Sequence, residues 1–296
     1  MKRTRTKKIV NPPSAILTSD WHLREDTPEC RTDDFWQKQW DKVLLTQRLC
    51  LEYRCPVIHA GDLYNHWKPS PLLLTYTLRF IPENFWTVYG QHDLPQHNMN
   101  LSEKCGIDTL LASESICLCN NGHFSTETSG ETNIIHYGKS KIAVWHKLVW
   151  EKNPPHWDTD GLTAERVLAE HPEFDLIVTG DNHQSFVVEY EGRLLVNPGS
   201  LTRQSADQIN HRPAVFLWYA EDNSVEPYYL PVNLDDVTRE HLDEVHKRDD
   251  RMDAFISSIS QEWISGYNFE RNIERFFRKN KDIDVKVKEI ILKAME

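Results

Sequence analysis

Short apolar runs alternate with stretches of helical spacing along this chain. Ala15–Thr18 is apolar up to its last residue, the pattern of a buried strand. Trp36, Trp40, Val43, Leu44 and Leu49 then recur at helical intervals. Residues 56–59 predict a second strand, Pro71–Phe80 a helix, and residues 85–89 a third strand. Residues 142–145 and 174–179 predict two more strands, with a helix over 164–169 between them. Residues 194–196, Ala214–Tyr219 and 225–230 complete the β content. Strands alternating with helices indicate an α/β fold.

Five of these strands run directly into a polar cluster. The clusters are Ser19-Asp20-Trp21-His22, Gly61-Asp62, Gly90-Gln91-His92-Asp93, His146, and Gly180-Asp181-Asn182-His183. Strand ends on one edge of a sheet converge, and ligands bind beyond their carboxyl ends. The scattered Asp, His and amide residues would therefore meet. Together they are a ligand set for hard to borderline divalent metals. Any one of them alone is more simply a helix cap or a satisfied histidine; the recurrence at five strand ends carries the signal.

After residue 232 the strands stop and the charge density rises. Met252, Phe255, Ile256, Ile259 and Trp263 form one helical stripe, which Gly266 would end. Ile273, Phe276 and Phe277 form a second, and Val287, Ile290, Ile291 and Ala294 a third. We divide the chain into a domain over residues 1–232 and a helical segment over 233–296. The segment either covers the main domain or serves as a partner-docking or oligomerisation element.

Composition narrows the class. The 296 residues are 39% hydrophobic, enough for a packed core. No stretch reaches the roughly 20 apolar residues of a membrane helix, so no membrane is expected. The basic stretch Met1 to Lys8 is not followed by the apolar core of a signal peptide. Six cysteines without a Cys-x-x-Cys pair suit a reduced cytoplasm. A net charge of −11 argues against binding nucleic acid by bulk attraction, although bound cations would supply local positive charge.

Over residues 15–204 these motifs resemble the calcineurin-like metallophosphoesterases, whose ordered signatures are Asp-x-His, Gly-Asp, Gly-Asn-His-Asp/Glu, a lone His, and Gly-His-x-His. Within that superfamily, Gly61-Asp62-Leu63-Tyr64 with Lys68-Pro69-Ser70, and the turn Asn197-Pro198-Gly199-Ser200-Leu201-Thr202-Arg203, look like the SbcD-type DNA nucleases, the meiotic recombination eleven family. The resemblance implies a two-sheet β-sandwich flanked by helices, with a short helical C-terminal segment. It implies one metal held by Asp20, His22, Asp62 and His183, and a second held by Asp62, Gln91, His146 and Asp181. Asp62 would bridge ions about 3.5–4 Å apart that share a hydroxide. His92 would contact phosphate and donate a proton to the leaving oxygen.

Three positions depart from the family pattern. Gln91 stands for Asn and Asp181 for His, both at the second metal. The added oxygen ligand favours manganese, with magnesium also fitting, over zinc. Asn65 stands where an acid often orients the catalytic histidine, and the adjacent His66 is an alternative for that task. The Asn197–Arg203 turn can present backbone N–H groups to an anion. Asn197, Ser200 and Arg203 are the expected substrate contacts, and bracing of the turn is the other reading of Arg203. His59, His97, His123, His136, His156 and His171 match no motif and are read as structural or exposed. Trp21, Trp67 and Trp145 flank motifs and either wall the site or belong to the core.

The expectation is a manganese-dependent DNA nuclease acting in repair, recombination or phage DNA processing, in the cytoplasm of a bacterial or phage-infected cell. DNA, an SbcC-like SMC-type ATPase and a homodimeric partner are the expected associations. The alternatives are a phosphodiesterase or phosphatase on a nucleotide or phosphoprotein, and a non-catalytic scaffold with a degenerate second metal site.

Overall fold

The computed structural model describes residues 12–119, 133–156, 158, 160–240 and 269–293. The chain begins with β1 (Ala15–Thr18), α1 (Phe35–Tyr53), β2 (Val57–His59), α2 (Pro71–Phe80), β3 (Phe85–Thr87), α3 (Gly106–Ala112) and β4 (Cys117–Leu118). It continues with β5 (Asn133–Tyr137), β6 (Ser140–Trp145), β7 (Val149–Trp150), β8 (Leu162–Thr163), α4 (Ala164–Glu170) and β9 (Leu176–Thr179). The last strands are β10 (Phe186–Tyr190), β11 (Arg193–Asn197), β12 (Ala214–Tyr219) and β13 (Ser224–Tyr229).

Two mixed sheets result, ordered β13-β12-β1-β2-β3-β4 and β10-β11-β9-β6-β5, beside a short β7-β8 pair. Each has a parallel centre, β1 to β4 in the first and β6-β9-β11 in the second, with antiparallel strands outside. Parallel centres place the carboxyl ends of β1, β2 and β3 side by side, and likewise those of β6 and β9.

Strand alternation explains the layers. Ala15 and Leu17 of β1 meet Leu176 and Val178 of β9 in the core between the sheets. Ile16 faces the other way, into a core with Trp40, Val43 and Leu49 of α1, Leu73 of α2 and Ile107 of α3. Ile177 of β9 faces outward onto Val167 and Leu168 of α4. Both faces of each sheet are covered, which is why the central strands read as continuous apolar runs. The architecture is the expected α/β sandwich of two mixed sheets flanked by helices. α1 starts where Asp34 accepts from the Gln37 N–H and ends at Arg54, at φ +55°.

The chain divides into two compact units, residues 1–238 and 239–296. In the second, α5 (Phe269–Lys279) and α6 (Val285–Lys293) are described. Ile273 and Phe276 are buried, and the Lys288 ammonium lies over the Phe277 ring at 5.9 Å. The 252–263 stripe, Gly266, Ala294 and His123 lie outside the described residues. Among the described residues, no helix is long and apolar enough to cross a membrane.

Candidate metal centre

The loops after β1, β2, β3, β6 and β9 meet, as the strand-end pattern requires. Backbone bonds stitch them together. Asp20 N donates to Gly61 O at 3.0 Å, His22 N to Asp62 O at 3.0 Å, and Gly180 N to Trp145 O at 3.0 Å. The side chains gather into three overlapping groups: Asp20, His22 and His183; His22, Asp62 and His92; and Asp20, Asp62 and His146.

The contacts within these groups bring ring nitrogens and carboxylate oxygens together with no backbone N–H from outside between them, apart from those that reach Asp20 and Asp62. His146 Nδ1 must donate to the carbonyl of Ala60, at 2.8 Å, because a carbonyl only accepts. In the neutral ring Nε2 is then a bare lone pair, and it faces Asp62 Oδ2 at 3.1 Å. The Nε2 atoms of His22 and His183 face each other at 3.1 Å, with Asp20 Oδ1 at 3.9 and 4.0 Å. Asp20 Oδ2, His22 Nδ1 and His146 Nε2 are buried without a hydrogen-bond partner. Buried ligand atoms that converge with so few partners fit a cation. A carbonyl holding the remote nitrogen of an imidazole is the usual support for a metal-ligating histidine.

The charges agree with this arrangement. Burial pushes His22 down to about 3, with neighbouring imidazoles adding to it, so the ring is neutral and able to ligate. Burial alone would raise Asp62, but the imidazoles of His146, His22 and His92 hold it below the usual carboxylate range. Burial would lower His146, and the Asp62 carboxylate instead lifts it to about 10. With no ion between them, this pair would retain a proton in the ion's place. Burial raises Asp20.

Local geometry is strained here. Asp20, His22, Asp62 and Asp181 have φ of +49°, +44°, +56° and +71°. Non-glycine residues rarely adopt this region, and strain of this kind concentrates at functional sites. Two glycines shape the seat of His146. A Cβ on Gly61, at φ +89°, would lie 2.7 Å from His146 Nδ1; one on Gly180 would lie 2.7 Å from the same atom and 2.4 Å from Ala60 O.

Gln91 and Asp181 meet each other, the Gln91 amide donating to Asp181 Oδ1 at 2.9 Å. Asp181 N donates to Asp20 Oδ1 at 3.0 Å. His92 N donates to Asp62 Oδ1 at 2.8 Å, and His92 Nδ1 to the backbone carbonyl of Asn65 at 3.2 Å. Orientation of His92 thus falls to that carbonyl, not to the Asn65 side chain. His66 is exposed, and its Nδ1 accepts from Lys68 N at 3.2 Å.

The substrate contacts expected of Asn197, Ser200 and Arg203 are not what the structure shows. All three are buried. Asn197 Nδ2 donates to the carbonyls of Asn182 and Gln184, and Ser200 Oγ accepts from Gln208 Nε2 at 2.7 Å. The Arg203 guanidinium donates to the carbonyls of Ile209, at 3.1 Å, and Asn233, and lies 3.8 Å from Asp236. The turn is a brace: Leu201 N donates to Asp20 O and Ser200 N to His183 O, each at 3.2 Å. Trp21 and Trp145 are buried in the core clusters.

Sequence reasoning assigned no task to Asp93, the last residue of its motif. Its buried carboxyl group accepts from Leu63 N (3.2 Å), Tyr64 N (3.0 Å) and Gly90 N (3.0 Å), tying two ligand loops together. Burial lifts it to about 7. The Gln204 amide, which carried no motif signal, donates to Trp21 O and His22 O at 3.3 and 3.2 Å.

The sequence profile of the calcineurin-like phosphoesterase superfamily domain matches residues 15–217. The chain belongs to that superfamily. The chemistry is accordingly metallophosphoesterase-type phosphodiester hydrolysis at a His/Asp divalent-metal site. Among solved structures, an archaeal phosphodiesterase is 14% identical over 73% of this chain and 99% of its own, with a TM-score of 0.43. Vps29 with zinc from Entamoeba histolytica is 15% identical, over 73% and 97%, at 0.38. A predicted phosphoesterase from Streptococcus pneumoniae is 12% identical, over 74% and 98%, at 0.36. No curated protein matches.

Proposed function

We propose that this phosphoesterase is a manganese-dependent phosphodiesterase acting on nucleotide-sized diesters. The observation that carries the reading is the set of three overlapping Asp/His groups, two of them built on Asp62, with buried ring nitrogens and a carboxylate oxygen left without partners. Two bound divalent ions would supply Lewis-acid charge and an acidified water. Asp62, fixed by the His92 N–H, would lie between them. His92, held at Nδ1 by Asn65 O, has Nε2 free to carry the proton delivered to the leaving oxygen. Gln91 and Asp181, which bond to each other beside these groups, would add oxygen ligands once the amide is turned, which supports manganese over zinc.

DNA is the second substrate reading. It rests on the SbcD-type likeness of Gly61-Asp62-Leu63-Tyr64 and the 197–203 turn, and would bring the SbcC-like ATPase, the homodimer and the bacterial or phage cytoplasm with it. The inward Arg203 removes the feature that most favoured a nucleic-acid backbone, and the net charge of −11 opposes it. One assay tests both readings: purified protein with bis-p-nitrophenyl phosphate, p-nitrophenyl phosphate and labelled DNA, under manganese, magnesium, zinc or EDTA. The expected outcome is diester cleavage fastest with manganese and abolished by EDTA. Full diester turnover after EDTA would overturn the metal mechanism, and DNA as the best substrate would reverse the order of the readings.

A further inference from the structure

One face of α1 carries a group that the phosphodiesterase reading does not use. A cavity of about 400 Å³ lies beside the helix and the chain at Pro231–Asn233, sharing no residue with the metal centre. That volume falls within the roughly 300–1,000 Å³ of ligand pockets. Three cations line it: Lys38, Lys42 and Arg48. Leu44, Leu45 and Val232 supply an apolar wall.

Lys42 is the unusual member. It is only 7% exposed, and its ammonium donates to the Pro231 carbonyl at 2.6 Å. An ammonium has three N–H donors, and among the described residues that carbonyl is the one acceptor Lys42 has. Burial already pushes Lys42 down to about 8. Of the two acids in the lining, Asp236 acts on Lys42 only through its charge, and both carry other partners. Asp236 accepts from Asn233 and lies near Arg31 and Arg203, and Asp41 accepts from Gln37. Lys38 and Arg48 form no ion pair among the described residues. A buried, under-satisfied ammonium flanked by two more cations and an apolar wall is a receptor for an anion with an apolar body.

We propose that this cavity binds a phosphate monoester carried on an apolar or aromatic group. The phosphate would sit on Lys42 between Lys38 and Arg48, and the body against Leu44, Leu45 and Val232. Diester hydrolysis breaks one P–O bond by addition of water and leaves a phosphate monoester and an alcohol, so the product has this chemistry. That link to the product rests on the proposed function; binding itself does not.

The test is calorimetric titration of phenyl phosphate into the full chain, with manganese and again after EDTA. EDTA removes the anion affinity of the metal centre and leaves that of the cavity. The expected result is one site that survives EDTA, with inorganic phosphate binding it more weakly. Lys42→Met, which keeps the length of the stem, should weaken that site at least tenfold. Lys38→Gln with Arg48→Gln should weaken it similarly, and this pair, less buried than Lys42, serves if Lys42→Met does not fold. Methyl shifts of Leu44, Leu45 and Val232 on titration would locate the ligand. No EDTA-resistant binding, or binding indifferent to both variants, would overturn the proposal. Diesterase activity measured alongside separates the two claims, since its absence together with intact EDTA-resistant binding would sink the function and leave the site.

Discussion

Arg203→Met separates a brace from a substrate contact. The side chain is 1% exposed, donates to two backbone carbonyls, and lies 3.8 Å from the Asp236 carboxylate. Methionine keeps the apolar stem and removes every donor. Each lost bond from a charged group costs about 1.5–3 kcal/mol, and breaking a buried ion pair by removing one partner costs about 3–5 kcal/mol. These are not additive, because Arg31 remains 3.9 Å from Asp236 and shields part of the loss. A net cost of about 3–5 kcal/mol follows. At about 2–4 °C per kcal/mol for a domain of this size, the midpoint should fall by about 6–20 °C. Circular dichroism melts would record the fall. Diester kinetics well below the lowered midpoint should give a KM within about twofold of wild type. An unmoved midpoint with a KM raised tenfold would refute the bracing argument and return Arg203 to the substrate.

His92→Ala should retain both ions by calorimetry and lose about 10²–10⁴-fold in turnover; loss of the ions as well would make His92 a ligand. Gly180→Ala, whose Cβ would press on Ala60 O and His146 Nδ1, should weaken metal binding about 10–100-fold, and an unchanged isotherm would contradict the proposed seat of His146. Lys42→Met should stabilise the chain at pH 7. The wild-type ammonium has its folded value lowered to about 8 from 10.5, so the native state binds fewer protons than the unfolded state between those values. Wild-type stability therefore rises over that window, and below it the full burial cost of about 3 kcal/mol applies. Denaturant midpoints at pH 7 and pH 10 should show the advantage of the variant shrinking as pH rises, and a pH-independent difference would refute it.

The convergence of five loops was legible because parallel strands bring their carboxyl ends to one edge, and each of the five ends in Asp, His or an amide. The central strands were legible for a related reason: buried on both faces, they read as unbroken apolar runs. The two-residue strands β4, β7 and β8 were missed for their length, and β5 and β10 were missed as well. These last two are outer strands of the second sheet, and the Val187, Val188 and Glu189 stretch of β10 is partly exposed and lacks a clean pattern. Within the site, side-chain identity was legible and backbone support was not. Ala60 O fixes the His146 tautomer and Asn65 O orients His92, and any residue offers a carbonyl. Arg203 stayed open between an anion contact and a brace for the opposite reason. Its motif position suggested an anion, but the direction of a side chain depends on the 209 and 233 carbonyls, which only the fold brings near.

The two sides of the metal centre differ in a way the sequence departures alone do not reveal. Around Asp20, His22 and His183, ring nitrogens and a carboxylate oxygen crowd one another at 3.1–4.0 Å, so without a cation this side repels itself or holds a proton between its atoms. At Gln91 and Asp181 a donor meets an acceptor at 2.9 Å, and the pair is satisfied without an ion. An ion on the first side would relieve an existing penalty, whereas an ion on the second would have to displace a hydrogen bond and find the Gln91 amide turned with its oxygen inward. Both sides sit on backbone held at positive φ, so neither can relax cheaply to a different arrangement. The replacement of Asn by Gln and of His by Asp therefore does more than exchange nitrogen for oxygen. A second ion there would compete with a contact that the protein forms by itself, and on the proposed function its affinity would fall below that of the first for that reason.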